Sequence, residues 1–265
     1  MGRSKRSLGP AGARARRPRP SEALLIYICI PAHNEARTVG VLIWKIRKVM
    51  ADFGRDYQIR VLDDASTDGT DAVLARYRGV LPLRVRRSEA RLGYSAALEA
   101  LLRDAVAEAP YPKRDVVITL QGDFSENPEG IVPLVKTLEG GADVVAGVRD
   151  PAHPQGTRSV RLTRWAAGFL LRGVLRGAPV SDPLLGFRAY RVIVLKKLLR
   201  DLDKAAMIQA DGWAANVELL TSAIRHARRV DEVPLEVRYD LRNRPSRVRP
   251  METLMGLYRM RRQSW

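Results

Sequence analysis

Three carboxylates crowd one short stretch, Asp63-Asp64-Ala65-Ser66-Thr67-Asp68-Gly69-Thr70. Carboxylates at the end of an apolar strand are costly unless they meet donors or cations. A nucleotide supplies such donors through its base and its ribose hydroxyls. Asp68-Gly69-Thr70 also suits a turn and a helix start, and capping of the next helix accounts for Ser66, Asp68 and Thr70. Capping accounts poorly for the adjacent Asp63-Asp64 pair, so these two, Asp64 above all, are read as ligand-binding.

A second constellation, Gln121-Gly122-Asp123, follows the apolar run Val116–Leu120. A carboxylate there can hold a hard divalent cation through oxygen. Such a cation bridges two phosphates and neutralises a departing nucleoside diphosphate. Asn34-Glu35 forms a third polar group after another apolar run. His33, His153 and His226 are far apart in sequence and suggest no histidine metal cluster.

These groups need elements to position them. Leu24–Ile30 is a continuous apolar run, the pattern of a strand buried on both faces. Glu35–Phe53 has helical spacing through Val39, Leu42, Ile43, Ile46 and Val49. Further strands are expected at Tyr57–Leu62, Leu83–Arg86, Val116–Leu120 and Asp143–Ala146, alternating with helices at Asp71–Tyr77, Ser95–Ala107 and Pro128–Leu138. The second half reads as helix Val160–Leu175, loop Ser181–Arg188, helices Val192–Leu199 and Trp213–Ala227, strand Val233–Tyr239 and a last helix Pro250–Met260. Strand–helix alternation predicts a mostly parallel sheet covered on both faces. Ligands of such sheets bind at the carboxyl ends of the strands, where all three polar groups fall.

Composition bounds the reading. The 265 residues suit one large α/β domain with a C-terminal appendage, and 46% hydrophobic content can fill its core. The net charge of +17 favours anionic partners: nucleic acid, acidic lipid headgroups or phosphorylated substrates. Residues 1–20 carry seven Lys/Arg and no acid, the composition of a disordered basic arm. Followed by Ala23–Ala32 they mimic a secretory signal, but Pro31-Ala32-His33-Asn34-Glu35 is a poor cleavage site. Cys29 alone forms no internal disulfide and reads as a core residue. No apolar run reaches the roughly 18 residues of a bilayer span.

Pro31-Ala32-His33-Asn34-Glu35, the Asp63–Thr70 block and the Asp123 block together resemble the family-2 glycosyltransferases of the GT-A fold. Within them the resemblance is greatest to the dolichyl- or polyprenyl-phosphate hexosyltransferases, such as dolichol-phosphate mannosyltransferase. It continues through Val145-Ala146-Gly147-Val148-Arg149, Ser181-Asp182-Pro183-Leu184-Leu185-Gly186-Phe187-Arg188 and Val233-Pro234. It implies an α/β fold, a Rossmann-like mostly parallel sheet flanked by helices over residues 21–249. A C-terminal helical extension on the acceptor side would follow, with residues 250–265 as a basic amphipathic helix.

The resemblance also implies a function: an inverting transferase moving a hexose from a nucleoside-diphosphate sugar to a polyprenyl (dolichyl) phosphate with Mg2+ or Mn2+. Pro31, Asn34, Glu35, Asp63, Asp64, Gln121, Gly122, Asp123 and Arg149 would bind the donor. Asp123 would end the family's Asp-x-Asp signature and hold the metal. Gln121 replaces the first Asp and offers oxygen without charge; Glu126 can assist. Arg149, Arg161 or Arg164, and Arg188 would face phosphates, and Arg242 and Arg247 match a basic element at altered spacing. Arginine suits this work because it binds phosphate with two N–H groups and keeps its charge when desolvated.

A lipid phosphate oxygen is already anionic, so catalysis would rest on positioning and electrostatics at Asp123 and Arg188. A sugar-hydroxyl acceptor, the alternative, needs a carboxylate base, and Asp182 is the candidate. The expected place is the cytoplasm, peripheral on the cytoplasmic face of a membrane. The basic arm, Arg242–Arg249 and Met251–Arg262 would meet an anionic surface or a membrane-anchoring partner. Nucleic-acid binding is the rival from another class. Aromatic content of 6%, not interleaved with basic residues, argues against it. A nucleotidyltransferase lacks its Gly-rich phosphate loop here, and Gln121 keeps an inactive homologue in view.

Overall fold

The computed structural model describes residues 24–150, 158–171, 180–203, 205–236 and 250–263. Strand β1 (Leu25–Ala32) runs through the centre of the sheet. Its alternate side chains enter opposite layers, as the two-residue period of a strand requires. Ile26, Ile28 and Ile30 join one apolar cluster, and Tyr27 and Cys29 join the other.

Helix α1 (Val39–Phe53) covers the first layer through Val39, Leu42, Ile43, Ile46, Val49 and Met50. Gly54, at φ 67°, ends it in the left-handed region that glycine adopts without a Cβ clash. The helix starts later than the periodicity from Glu35 suggests. Asn34 holds φ 54°, and its main-chain N–H and side chain are tied to Ser66 and Thr67, so the helical path opens only after Thr38.

Strand β2 (Asp56–Asp63) pairs parallel to β1, with Ala32 opposite Asp63. Short helix α2 (Thr70–Ala75) leads to edge strand β3 (Leu83–Arg87). Helix α3 (Tyr94–Glu108) covers the second layer and leads into β4 (Val116–Thr119), parallel to β1. A single 3-10 turn and helix α4 (Ile131–Glu139) precede β5 (Val144–Arg149). Then come helix α5 (Arg158–Leu171), strand β6 (Arg188–Arg191) and helices α6 (Val192–Leu202) and α7 (Trp213–Ile224). Strand β7 (Val230–Leu235) and helix α8 (Pro250–Gln263) complete the described elements.

The seven-stranded sheet has the order β3-β2-β1-β4-β6-β5-β7. Only β6 is antiparallel, wedged between β4 and β5. The sequence reading placed no strand there, because Arg188-Ala189-Tyr190-Arg191 is neither an apolar run nor a clean alternation. The expected strand at Val233–Tyr239 begins earlier, at Val230, and ends at Leu235; residues 237–239 lie outside the described residues, as do the basic arm and Arg242–Arg249.

A third, smaller apolar cluster joins Ala167 and Leu171 of α5, Leu184, Trp213 and Val217 of α7, and Leu257 of α8. It seats α5 and α8 beside the carboxyl end of β5 and the amino end of β6. A Cβ on Gly256 would fall 2.9 Å from Ala214 Cβ, so α8 crosses α7 at close range there.

Candidate active site

The loops after β1 and β2 interlock through their side chains. Asn34 N donates to Ser66 Oγ at 2.9 Å, and Asn34 Oδ1 accepts from Thr67 N at 2.8 Å. Glu35 N donates to Thr70 Oγ1 at 2.9 Å, while that hydroxyl donates to Asp68 Oδ1. Burial works against the charge on Asp68. Hydrogen bonds from Thr70 and from the Ala36 N–H outweigh it and hold this carboxyl below the usual range. Asn34, Ala65 and Phe124, three of the four non-glycine residues at positive φ among those described, belong to the loops gathered here. Such conformations persist only where surrounding bonds enforce them.

Asp63 and Asp64 are both buried but serve different contacts. Asp63 accepts from Ser66 N and lies 3.3 Å from the Arg87 guanidinium, which also meets Asp71 and the Ser66 carbonyl. Asp64 reaches the opposite way. Its carboxylate accepts the N–H groups of Leu92 (2.6 Å) and Gly93 (3.0 Å) and the Ser88 hydroxyl. It thereby anchors the loop between β3 and α3 against the donor side. His33 Nε2 faces Arg91 Nη1 at 3.1 Å, and a guanidinium only donates. The His33 proton is therefore on Nδ1, donated to the Asp64 carbonyl at 2.6 Å.

Beyond β4, the Asp123 carboxylate is buried, with Oδ1 accepting from Ser125 N and Ser125 Oγ. Glu126 Oε2 accepts the Gln121 N–H at 2.9 Å, so this carboxylate shapes the turn that presents Gln121. Gly122 sits close under the first loop: a Cβ there would lie 3.3 Å from the Pro31 carbonyl and 3.4 Å from Glu35 Cγ. Thr38 Oγ1 donates to Gly122 O and lies 3.2 Å from Glu35 Oε2, locking the two loops together. Pro31, Glu35, Gln121, Gly122 and Asp123 thus form one face. No three His, Cys, Asp or Glu side chains gather as cation ligands among the described residues. Asp123 with the Gln121 amide is a sparse set of oxygen donors. It fits a hard cation that takes its remaining ligands from bound phosphates and water.

Past the carboxyl end of β5, Arg149, Arg164 and Asp182 meet. Asp182 accepts from Arg149 Nε at 2.9 Å and from Arg164 Nη1. The Arg164 guanidinium stacks over Trp213, 4.9 Å from the ring centroid. The three line a cavity of about 270 Å3 whose remaining wall includes Trp165, Ala167 and Leu184. Of the pair left open by the sequence reading, Arg164 lies in this cavity. Arg161 lies on α5, and its side chain is outside the described residues, as are Arg242 and Arg247.

Two expectations meet a different arrangement. Arg188, expected to face a phosphate, is 1% exposed. It donates to the carbonyls of Asn216 and Pro183 and lies 3.4 Å from the Tyr190 hydroxyl. Arg188 and Tyr190 are two apart on β6 and share the face packed by α3, α6 and α7. That geometry turns the guanidinium inward, where it braces the Ser181–Phe187 loop. Asp182, the candidate base for a hydroxyl acceptor, has its carboxylate committed to two guanidinium groups and is poorly placed to take a proton.

Tyr94 and Asn216 were not singled out from the sequence. The Tyr94 hydroxyl donates to Asn216 Oδ1 at 2.8 Å, and Asn216 Nδ2 donates to the Leu184 carbonyl at 3.0 Å. Burial, reinforced by the Glu126 carboxylate, raises the phenol far above its ordinary range. Cys29 takes no part: burial pushes its thiol up to about 12, and it packs against α3.

The sequence profile described as Glycosyl transferase family 2 matches residues 27–199. A dodecaprenyl-phosphate galacturonate synthase of Rhizobium johnstonii is 24% identical over 215 residues, which cover 79% of this chain and 61% of that protein. A polyprenol monophosphomannose synthase of Mycolicibacterium smegmatis is 29% identical over 229 residues, covering 82% of this chain and 78% of the other. The chain therefore spans only about three fifths of the length of the first of these relatives. Among solved structures, glucosyl-3-phosphoglycerate synthase from Mycobacterium tuberculosis, in complex with Mn2+, uridine-diphosphate and glucosyl-3-phosphoglycerate, superposes with a TM-score of 0.58. It shares 23% identity and covers 89% of this chain and 76% of that one.

Proposed function

The chain belongs to glycosyl transferase family 2, and on that footing we propose that it moves a hexose from a nucleoside-diphosphate sugar to a polyprenyl phosphate with inversion at the anomeric carbon. The observation that carries the acceptor half is the cavity at Arg149 and Arg164. Its lining combines two guanidinium groups with Trp165, Ala167 and Leu184. That mixture suits an amphiphile with a phosphate head and a hydrocarbon chain. The relatives of Rhizobium johnstonii and Mycolicibacterium smegmatis, named for lipid phosphates, support the same reading.

The donor meets the loops after β1, β2 and β4. Pro31, Glu35 and the Asp64 region receive the nucleoside, and Gln121 and Asp123 face its diphosphate. Asp123 and Gln121 would hold the divalent cation, whose charge would neutralise that of the departing nucleoside diphosphate. The acceptor phosphate oxygen, already anionic, forms the new bond to the anomeric carbon. The bond from that carbon to the donor phosphate breaks on the far side, and its electron pair leaves with the nucleoside diphosphate. No base is consumed, which agrees with an Asp182 carboxylate held by arginines. What the protein contributes is alignment and electrostatic stabilisation.

No helix among the described residues is long and apolar enough to cross a membrane. Access to a lipid would come from the outer face of α5 and α8, at the cytoplasmic face of a bilayer. Trp165 (74% exposed), Leu162 (65%) and Met251 (71%) lie there with Met255 and Tyr258. Exposed apolar side chains on α5, which lines the cavity, and on α8, which packs against α5, suit a bilayer surface, and the net charge of +17 suits an anionic one. The test is incubation with radiolabelled nucleotide sugars, polyprenyl phosphate and Mn2+. Label entering the organic phase supports the proposal. Label only in water-soluble product, as with a phosphoglycerate acceptor, overturns the lipid reading.

A further inference from the structure

One run of polar contacts, part-buried where Asp64 and Tyr94 make theirs and buried where Asn216 meets Leu184, joins the donor side to the acceptor cavity. It begins at Asp64, whose carboxylate holds the N–H groups of Leu92 and Gly93. Tyr94 is the next residue and opens α3. Its hydroxyl meets Asn216, and Asn216 meets the Leu184 carbonyl. The orientation of this amide is dictated by its neighbours. A carbonyl only accepts, so Nδ2 faces Leu184, Oδ1 faces Tyr94, and the phenol is the donor. The raised phenol keeps that proton throughout the neutral range.

The segment that Asn216 touches is gripped on every side. Pro183 O accepts from Arg188 Nη2, Gly186 O from Thr119 Oγ1, and Phe187 O from Gly147 N. A Cβ on Gly186 would fall 3.0 Å from the Asn216 amide, so the amide lies against bare backbone. Asp182, one residue before this segment, is the carboxylate between Arg149 and Arg164.

We propose that Tyr94 and Asn216 are positioning residues for the acceptor phosphate: through Leu184 and Pro183 they fix Asp182, and through it the directions of Arg149 and Arg164, in register with the donor loop at Asp64. The inference rests on the cavity being the acceptor phosphate site. Neither residue touches the phosphate. Each removes freedom from the loop that orients the groups that do.

The test is calorimetric binding to the whole 265-residue chain. Decyl phosphate serves as the acceptor probe. The donor probe is whichever nucleoside diphosphate most raises the melting temperature in Mn2+. Tyr94→Phe keeps the ring and removes one oxygen. Asn216→Asp keeps the acceptor for Tyr94 but sets a carboxylate against the Leu184 carbonyl. Each is expected to weaken decyl phosphate by about fivefold or more, the scale of one buried hydrogen bond. Donor-probe affinity should stay unchanged. The double variant should be no weaker than Asn216→Asp alone, because both act on one strut.

Wild-type affinity for decyl phosphate in Tyr94→Phe, or equal weakening of both probes, overturns the positioning role and leaves the acceptor site standing. Absence of decyl phosphate binding by the wild type overturns the acceptor reading and the inference with it. If Asn216→Asp does not fold, Tyr94→Phe decides alone.

Discussion

Asp123 and Ser125 close a two-residue ring: one carboxylate oxygen accepts both the main-chain N–H and the hydroxyl of the serine. The carboxylate is thereby aimed before any ligand arrives. Asp123→Ala should reduce transfer on the order of a hundredfold or more, the usual scale for losing a preorganised electrostatic group. Ser125→Ala keeps the main-chain bond and should cost under about tenfold. Steady-state transfer at saturating Mn2+ measures both. Intact turnover in Asp123→Ala would remove this residue from the reaction.

Arg149 and Arg164 share the Asp182 carboxylate, so each is expected to act on the acceptor and not on the donor. Arg149→Ala or Arg164→Ala should raise the acceptor KM by about tenfold or more, consistent with loss of a charge-assisted phosphate contact. The donor KM should move little. Arg164→Lys should not rescue, since a lysine lacks the planar group that stacks on Trp213. A matching rise in both KM values would argue that these arginines hold the fold and not the phosphate.

Arg188 should behave as a structural residue. Arg188→Ala removes the donor that the guanidinium supplies to two carbonyls, Pro183 of the buried loop and Asn216 of α7. A loss of about 3 kcal/mol or more is expected, summed over two hydrogen bonds to a charged group. Urea titration followed by circular dichroism gives the value. A variant of wild-type stability with weakened phosphate binding would return Arg188 to the ligand-facing role implied by family resemblance.

Asp68 makes stability sensitive to acid. Its folded carboxyl lies below the ordinary value, so the contribution is fully present above that value and fades as pH falls through the folded one. Asp68→Asn should therefore melt lower than the wild type at pH 7, and the gap should narrow below about pH 4. Melting curves between neutral and acid pH follow this directly. A gap that stays constant to pH 3 would show that hydrogen-bond geometry alone, not charge, is at stake.

The face formed by α5 and α8 has its own test. Replacing Trp165 and Met255 with Glu should reduce co-sedimentation with anionic vesicles while leaving the melting temperature within a few degrees. Unchanged sedimentation would separate lipid access from this face.

Much of the donor half was readable from sequence because its signals are local. Ile26, Ile28 and Ile30 lie in an apolar run, Asp63 and Asp64 end another, and parallel pairing brings both ends together. The acceptor half is built from contacts distant in sequence. Arg149 and Asp182 were recognised through motif resemblance, yet nothing in their spacing says that one carboxylate joins two arginines. Arg188 shows the limit most plainly. An arginine beside a glycine motif looks ligand-facing, but a missed four-residue strand turned it into the interior. Tyr94 and Asn216 lie 122 positions apart, and no local pattern marks either.

That missed strand also governs how the chain can be divided. Because β6 is inserted between β4 and β5, the sheet is not continuous until residue 191 has joined it. During synthesis β4 and β5 would emerge with open edges and wait for their shared neighbour, an interval in which unpaired strands are prone to mispairing. A fragment ending at Arg149 would carry most of the donor residues named above on β3-β2-β1-β4, with the outer edge of β4 open and β5 unpaired to it. An open β4 edge is what such a nucleotide-half fragment would expose, so ligand studies are best made with the acceptor half present.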